Sequence, residues 1–236
     1  MPPREARVAV VIPTYNEADS IAAVVAELPR DIVGRVIVAD GGSRDGTPDR
    51  ARDAGADVIG VGPGYGRACL AGAEAAADAD IVVFMDGDGA DDPSAIAALL
   101  APLRARTADF VIASRARGER EAGSMASHQL LAGLIAGWLT KLLYGVRYTD
   151  MCAFRAIRRD TLLALGMREM TFGWNLEMQM RVARAGFRVL ELPVAYRRRL
   201  GGRSKVAGSV RGTIAAGLSI ISTFARVAVE PLRPSP

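Results

Sequence analysis

The sequence predicts an α/β fold with a mostly parallel sheet flanked by helices. Short apolar runs rich in β-branched residues alternate with Ala-rich stretches of helical period, and the joints are brief and carry Gly, Pro and Asp. Residues 8–12 form the first expected strand, stopped by Pro13, and residues 17–28 the helix after it. Strands at 36–39, 57–59, 81–85 and 110–113 follow, separated by helices at 47–54, 67–77 and 93–105. Ligands of such sheets bind beyond the carboxyl ends of the strands, so the polar residues after each strand are the candidates for chemistry.

The pattern changes after Ser114. Residues 115–123 read as a charged, glycine-bearing loop, 127–143 as an apolar helix, 152–157 as a strand, 171–185 as a helix and 189–196 as an extended segment. A basic loop at 197–205 leads into a final amphipathic helix at 206–229. One domain is therefore expected over 1–205, with a first part over 1–115 and a second over 116–205. The C-terminal amphipathic helical extension and tail occupy 206–236.

At 236 residues, 50% hydrophobic and 24% charged, the composition suits a single globular domain. A net charge of +4 is too mild to argue for nucleic acid, but its distribution is uneven. Residues 1–150 carry 15 basic and 21 acidic side chains, and residues 151–236 carry 15 and 5. The acidic part suits a cation; the basic part suits phosphates or an anionic surface. Two cysteines, Cys69 and Cys152, exclude a disulfide framework and match no metal-ligand spacing, so a reducing, cytoplasmic setting is expected. The apolar run before Pro13 is too short for a signal peptide. Residues 212–225, as a helix, would cover about 21 Å, short of a ~30 Å bilayer core, so membrane contact is expected to be peripheral, on the inner face. Residues 130–143 and 214–224 suit in-plane bilayer helices, burial on the domain, or a dimer contact in a homo-oligomer.

Asp86, Asp88, Asp91 and Asp92 fall within seven residues after the fourth strand. Carboxylates so close repel one another unless a cation joins them, and hard oxygen ligands suit Mg²⁺ or Mn²⁺. Asp86 and Asp88, flanked by glycines, are the expected metal ligands. Asp92, and on one reading Asp91, caps the helix that starts at Pro93. Asp40 ends the second strand as a carboxylate in need of a partner, which a nucleobase N–H would satisfy. Pro13-Thr14-Tyr15-Asn16-Glu17 is a rigid turn bearing an aromatic and a carboxylate. The glycines at 60–66 are expected to admit a phosphate or ribose near Arg67, although their spacing is not a dinucleotide fingerprint.

Residues 10–20 (VVIPTYNEADS), 38–47 (VADGGSRDGT), 84–93 (FMDGDGADDP) and 113–115 (ASR) together resemble the successive signatures of family 2 glycosyltransferases. The resemblance implies the GT-A, Rossmann-like fold, a UDP- or GDP-linked sugar donor, a divalent metal and inversion at the anomeric carbon. By it, Pro13, Tyr15, Glu17 and Asp40 line the nucleoside pocket; Asp86 and, from the glycine loop rather than the resemblance, Arg67 are the further expected nucleotide contacts. Asp86 and Asp88 become the D-x-D pair on the metal and diphosphate. Residues 150–155, 172–177 and 196–205 are similar to segments of polyprenyl-phosphate sugar transferases, the dolichyl-phosphate mannose synthase group. That similarity implies that Arg115, Arg199, Arg203, Ser204 and Lys205 bind phosphates. The chain departs from the group at Ala90, where a further polar metal ligand is usual, and at Met151-Cys152-Ala153, where a longer polar motif is usual.

The expected reaction is one in-line displacement at the anomeric carbon, with Asp88 steadying the departing diphosphate through the metal. A lipid phosphate acceptor is already ionised and needs only positioning. A hydroxyl acceptor needs a base, for which Glu177 and then Asp150 are the candidates. Glu177 also stands four residues before Arg181, the spacing of a helical ion pair. His128 reads as an ordinary helix-start residue, and Trp138 and Trp174 as core or interface residues. Three functions compete: transfer to a polyprenyl phosphate, which is favoured; transfer to a saccharide or small-metabolite hydroxyl; and nucleotide-sugar binding without turnover.

Overall fold

A computed structural model describes residues 6–201 and 210–230. Seven strands, β1 (Val8–Thr14), β2 (Arg35–Asp40), β3 (Asp57–Gly60), β4 (Ile81–Phe84), β5 (Phe110–Ser114), β6 (Arg155–Arg158) and β7 (Val189–Pro193), form one sheet in the order β3-β2-β1-β4-β6-β5-β7. Only β6 runs against its neighbours; every other pairing is parallel. All seven residues of β1 are buried. Successive strand residues point to opposite faces, so this strand is covered on both sides, as its unbroken apolar run requires.

The helices are α1 (Ile21–Ala26), α2 (Thr47–Asp53), α3 (Tyr65–Ala75), α4 (Ile96–Arg104, entered through a 3₁₀ turn at Pro93–Ala95), α5 (Ser127–Tyr144), α6 (Arg159–Leu165), α7 (Trp174–Arg184) and α8 (Val210–Val229). The expected alternation of strand and helix is present, with two local differences. Helix α1 starts at residue 21 rather than 17 because residues 16–18 are tied to the loop after β2. The amide of Asn16 donates to Ser43 Oγ (2.8 Å), that of Glu17 to Thr47 Oγ1 (2.9 Å) and that of Ala18 to Asp45 Oδ2 (3.1 Å). Helix α6, a short element with Asp160 in its first turn, is not evident from periodicity.

Helices α5, α7 and α8 share a small second core of Ala136, Leu176, Met180 and Val227, with Ile220 and Phe224 packed against it. This places α8 on the body of the domain through one face. Its opposite face leaves Ile214, Leu218 and Ile221 exposed, and α5 likewise exposes Leu131, Leu134, Ile135, Trp138 and Leu142. Trp174, by contrast, is fully buried and meets Phe84 edge-on at 6.3 Å. No helix among the described residues is long and apolar enough to cross a membrane.

Candidate active site

The loops after β1, β2, β4 and β5 converge on a cavity of about 790 Å³. Pro13, Tyr15, Glu17 and Gly41 line one end, and Asp86, Asp88, Arg115 and Asp150 its middle. His128, Gln129 and Ala132 from α5 and Ala216, Gly217 and Ile220 from α8 also line it. The acidic turn and both apolar helices therefore face one space.

In the acidic turn, Asp86 accepts from the Tyr65 hydroxyl (3.2 Å), and its own amide donates to Asp91 Oδ2 (3.1 Å). Asp88 Oδ1 accepts from the Ala90 amide (2.9 Å), and its Oδ2 is paired with Arg199 Nη2 at 2.5 Å. Burial, reinforced by Asp88, pushes the Asp86 carboxyl up to about 6. Burial, with Asp86 and Asp88 nearby, pushes Asp91 up to about 8. Asp92 is the helix cap: its Oδ1 accepts from the Ser94 amide (3.0 Å). Asp91 does not cap; it lies buried behind the pair and holds the Asp86 backbone.

These carboxylates have few donors, and added negative charge is costly there, so the donor set fits a hard divalent cation. Among the described residues no three ligand side chains converge into a closed cage. Two carboxylates with open positions suit an ion that keeps waters and takes phosphate oxygens. Asp86 and Asp88 are the residues that would hold it.

Arg115 and Asp150 form a closed pair. Arg115 Nε and Nη2 each donate to the Asp150 carboxylate at 2.8 Å, the Arg115 amide donates at 2.9 Å, and the guanidinium lies 5.0 Å over the Tyr196 ring. Asp150 is 1% exposed. A base must be free to take a proton, and this carboxylate is occupied by three N–H donors. It positions Arg115 instead.

Glu177 is further from the role expected of it. It does not line the cavity, and its side chain is fully buried. The amides of Arg168 (2.9 Å) and Glu169 (2.7 Å) and the guanidinium groups of Arg181 (3.0 Å) and Arg226 (2.9 Å) all donate to it. Burial alone would raise its pKa, but the Glu169 and Arg168 amides and the two arginines hold it below the usual carboxylate range. Glu177 is an anchor that ties α7 and α8 to residues 168–169, not a proton acceptor.

Residues 9–166 match the family model described as glycosyl transferase family 2. The chain belongs to glycosyltransferase family 2. Similar proteins include an uncharacterised glycosyltransferase of Mycobacterium tuberculosis, 38% identical over 211 residues, which cover 89% of this chain and 94% of the relative. An undecaprenyl-phosphate mannosyltransferase of Micrococcus luteus is 33% identical over 221 residues, covering 87% and 90%. Among solved structures, glucosyl-3-phosphoglycerate synthase from M. tuberculosis, in complex with Mn²⁺, UDP and phosphoglyceric acid, has a TM-score of 0.76 at 23% identity over 96% of this chain and 80% of that one. The fold is thus that of the GT-A glycosyltransferases.

Within this glycosyltransferase, Pro13, Tyr15, Glu17, Asp86, Asp88, Arg115, Asp150 and Arg199 all meet at the cavity. Asp40 stands behind it. The partners that its buried carboxylate requires come from its own loop and from β1: the amides of Gly42 (2.9 Å) and Ser43 (2.8 Å) and the hydroxyls of Ser43 and Thr14 donate to it. It shapes the turn that presents Gly41. Arg67 does not line the cavity; its side chain is exposed and its amide donates to Met170 O (3.0 Å). Gly64 and Gly66 make room for the neighbouring chain, since a Cβ would lie 2.6 Å from Met170 O at the first and 2.2 Å from Glu169 O at the second, whereas Gly60 and Gly62 meet open space. Arg203, Ser204 and Lys205 lie outside the described residues. Tyr65 and Tyr196, not singled out in the sequence, also line the cavity, as does His128, which stands at the start of α5 as expected. Tyr196 had a signal, its place just before the basic run; nothing in the local sequence of His128 marks it as facing the cavity.

Proposed function

We propose that this glycosyltransferase moves a sugar from a nucleotide-diphosphate donor, UDP- or GDP-linked, to a polyprenyl phosphate at a membrane surface, with inversion. The observation that carries the reading is the joining of the acidic turn to an apolar wall. Helices α5 and α8 lend Ala132, Ala216 and Ile220 to the cavity and carry exposed apolar stripes (Leu131, Leu134, Ile135 and Trp138; Ile214, Leu218 and Ile221) beside it. Such stripes suit helices lying in the interface, so that a prenyl tail stays among lipids while its phosphate reaches the carboxylate end. The similarity to an undecaprenyl-phosphate mannosyltransferase supports the same acceptor class.

Pro13, Tyr15 and Glu17 would hold the nucleoside, and Asp86 and Asp88 a Mg²⁺ or Mn²⁺ ion. That ion, when bound, neutralises the charge growing on the departing diphosphate. Both carboxylates picked out as candidate bases are engaged elsewhere, Asp150 by Arg115 and Glu177 by four donors. An acceptor phosphate is ionised at neutral pH and needs no base, so this arrangement favours it over a hydroxyl. The chain's contribution is then alignment: cations orient the acceptor oxygen opposite the leaving group.

The test is a partition assay with membranes and labelled UDP- and GDP-sugars. Acid-labile label should appear in the organic phase. Label confined to a water-soluble product would overturn the acceptor assignment.

A further inference from the structure

Residues 196–201 lie across the acidic turn as a strap. The Arg197 amide donates to Ala90 O (2.9 Å) and the Leu200 amide to Asp88 O (2.8 Å), while Tyr196 bridges Asp91. Gly89 has φ +78°, and the Leu200 side chain packs where a Cβ would stand, 2.6 Å away. The Arg197 guanidinium clamps the strap to Asp92 (2.9 Å) and Glu27 (2.8 Å). This backbone delivers Arg199 to Asp88, Nη2 to Oδ2 at 2.5 Å, on a carboxylate whose side chain is only 6% exposed. Arg199 Nη1 is buried and has no hydrogen-bond partner among the described residues, although the residue lines the cavity.

A guanidinium therefore sits on one of the two carboxylates that would receive the metal. A buried carboxylate without a counter-charge is expensive, so Arg199, as a resident cation, stabilises Asp88. Two cations competing for one carboxylate oxygen in a low-dielectric pocket repel each other strongly. Building on the donor and acceptor proposed above, we infer that Arg199 is a resident counter-cation exchanged for the metal. The divalent ion arriving with the donor takes the Asp88 oxygen, and the freed guanidinium turns into the cavity to receive the acceptor's oxyanion. Donor loading then completes the acceptor site, so the acceptor binds second.

The test reads metal binding without turnover. Wild type, Arg199→Gln and Arg199→Lys are titrated with Mn²⁺ alone, free Mn²⁺ being followed by electron paramagnetic resonance. Arg199→Gln should bind Mn²⁺ at least about tenfold tighter than wild type, the scale of a lost charge-assisted bond, and Arg199→Lys should stay near wild type because a cation remains. Equal or weaker binding by Arg199→Gln overturns the exchange while leaving the metal site standing. No Mn²⁺ binding by any of the three, even with UDP or GDP added, overturns both readings. Should Arg199→Gln not fold, wild type still decides. Its Arg199 Nε–H resonance, assigned by its loss in Arg199→Lys, must shift on saturation with Mg²⁺; an unmoved resonance overturns the proposal.

Discussion

Two groups of buried carboxylates lie in this domain, and they are opposite in kind. Around Glu177, donors outnumber needs: two amides and two arginines reach one carboxylate, and Glu230 and Glu169 share the same arginines. Around Asp86, Asp88 and Asp91, burial meets few donors, Arg199 on Asp88 being the charged one, and the carboxylates repel, so Asp86 and Asp91 are pushed up while Glu177 is held down. A saturated carboxylate has nothing left to offer a ligand and serves the fold. A starved one facing a cavity keeps coordination capacity, at a cost in stability, and serves chemistry. Position on the sheet agrees: the starved group follows β4, whereas the saturated one joins helices behind the cavity.

The sharpest way to break this contrast is to exchange charge for amide in each group. Asp88→Asn should lower turnover by at least about a thousandfold, since the metal's share of transition-state stabilisation is several kcal/mol. Its melting temperature should fall less than that of Glu177→Gln, because the lost Arg199 pair is offset by relief of repulsion from Asp86 and Asp91. Turnover near wild type, measured as donor consumption, would remove Asp88 from the mechanism. Glu177→Gln should do the reverse. It leaves Arg181 and Arg226 short of a buried counter-charge, at about 3 kcal/mol, or roughly a 6–12 °C fall in melting temperature. The turnover of protein still folded well below that transition should be retained. An unchanged melting curve would refute the anchoring role.

A smaller effect separates the groups by pH. The folded state holds Asp86 and Asp91 above the ordinary 3.8, at about 6 and about 8. Their contribution to stability is full below the unfolded value and is lost as pH rises through those folded values. Glu177, held below 4.5, contributes above that value and loses its contribution as pH falls. Metal-free protein should therefore melt lower at pH 9 than at pH 5.5 by this linkage, and Asp91→Asn should flatten the slope. A wild-type slope unchanged in Asp91→Asn would detach the effect from the acidic turn.

How much of this was legible in the chain depends on the range of the deciding interaction. Pro13, Tyr15, Glu17, Asp86 and Asp88 follow apolar runs by a few residues, and a parallel sheet puts all such positions at one edge. They could be read directly. Asp91 could not, because capping and backing the D-x-D pair use the same short spacing and differ only in which amide the side chain meets. That Arg67 does not line the cavity was not legible either, because the packing of residues 169–170 against Gly64 and Gly66 is a long-range contact that loop composition does not show. The i, i+4 spacing to Arg181 named one partner of Glu177, but the amides of 168 and 169 and Arg226 of α8 are invisible to local spacing.

By itself, then, the sequence determined the α/β sheet, the strand ends that meet at the cavity and membership of glycosyltransferase family 2. Those follow from hydrophobic period and short motifs, which are local. Only the tertiary structure decided which carboxylates are free to act, that Asp150 is locked to Arg115, and that Arg199 rests on Asp88. A buried charge is defined by what surrounds it, and Arg199 lies 111 residues from its partner along the chain.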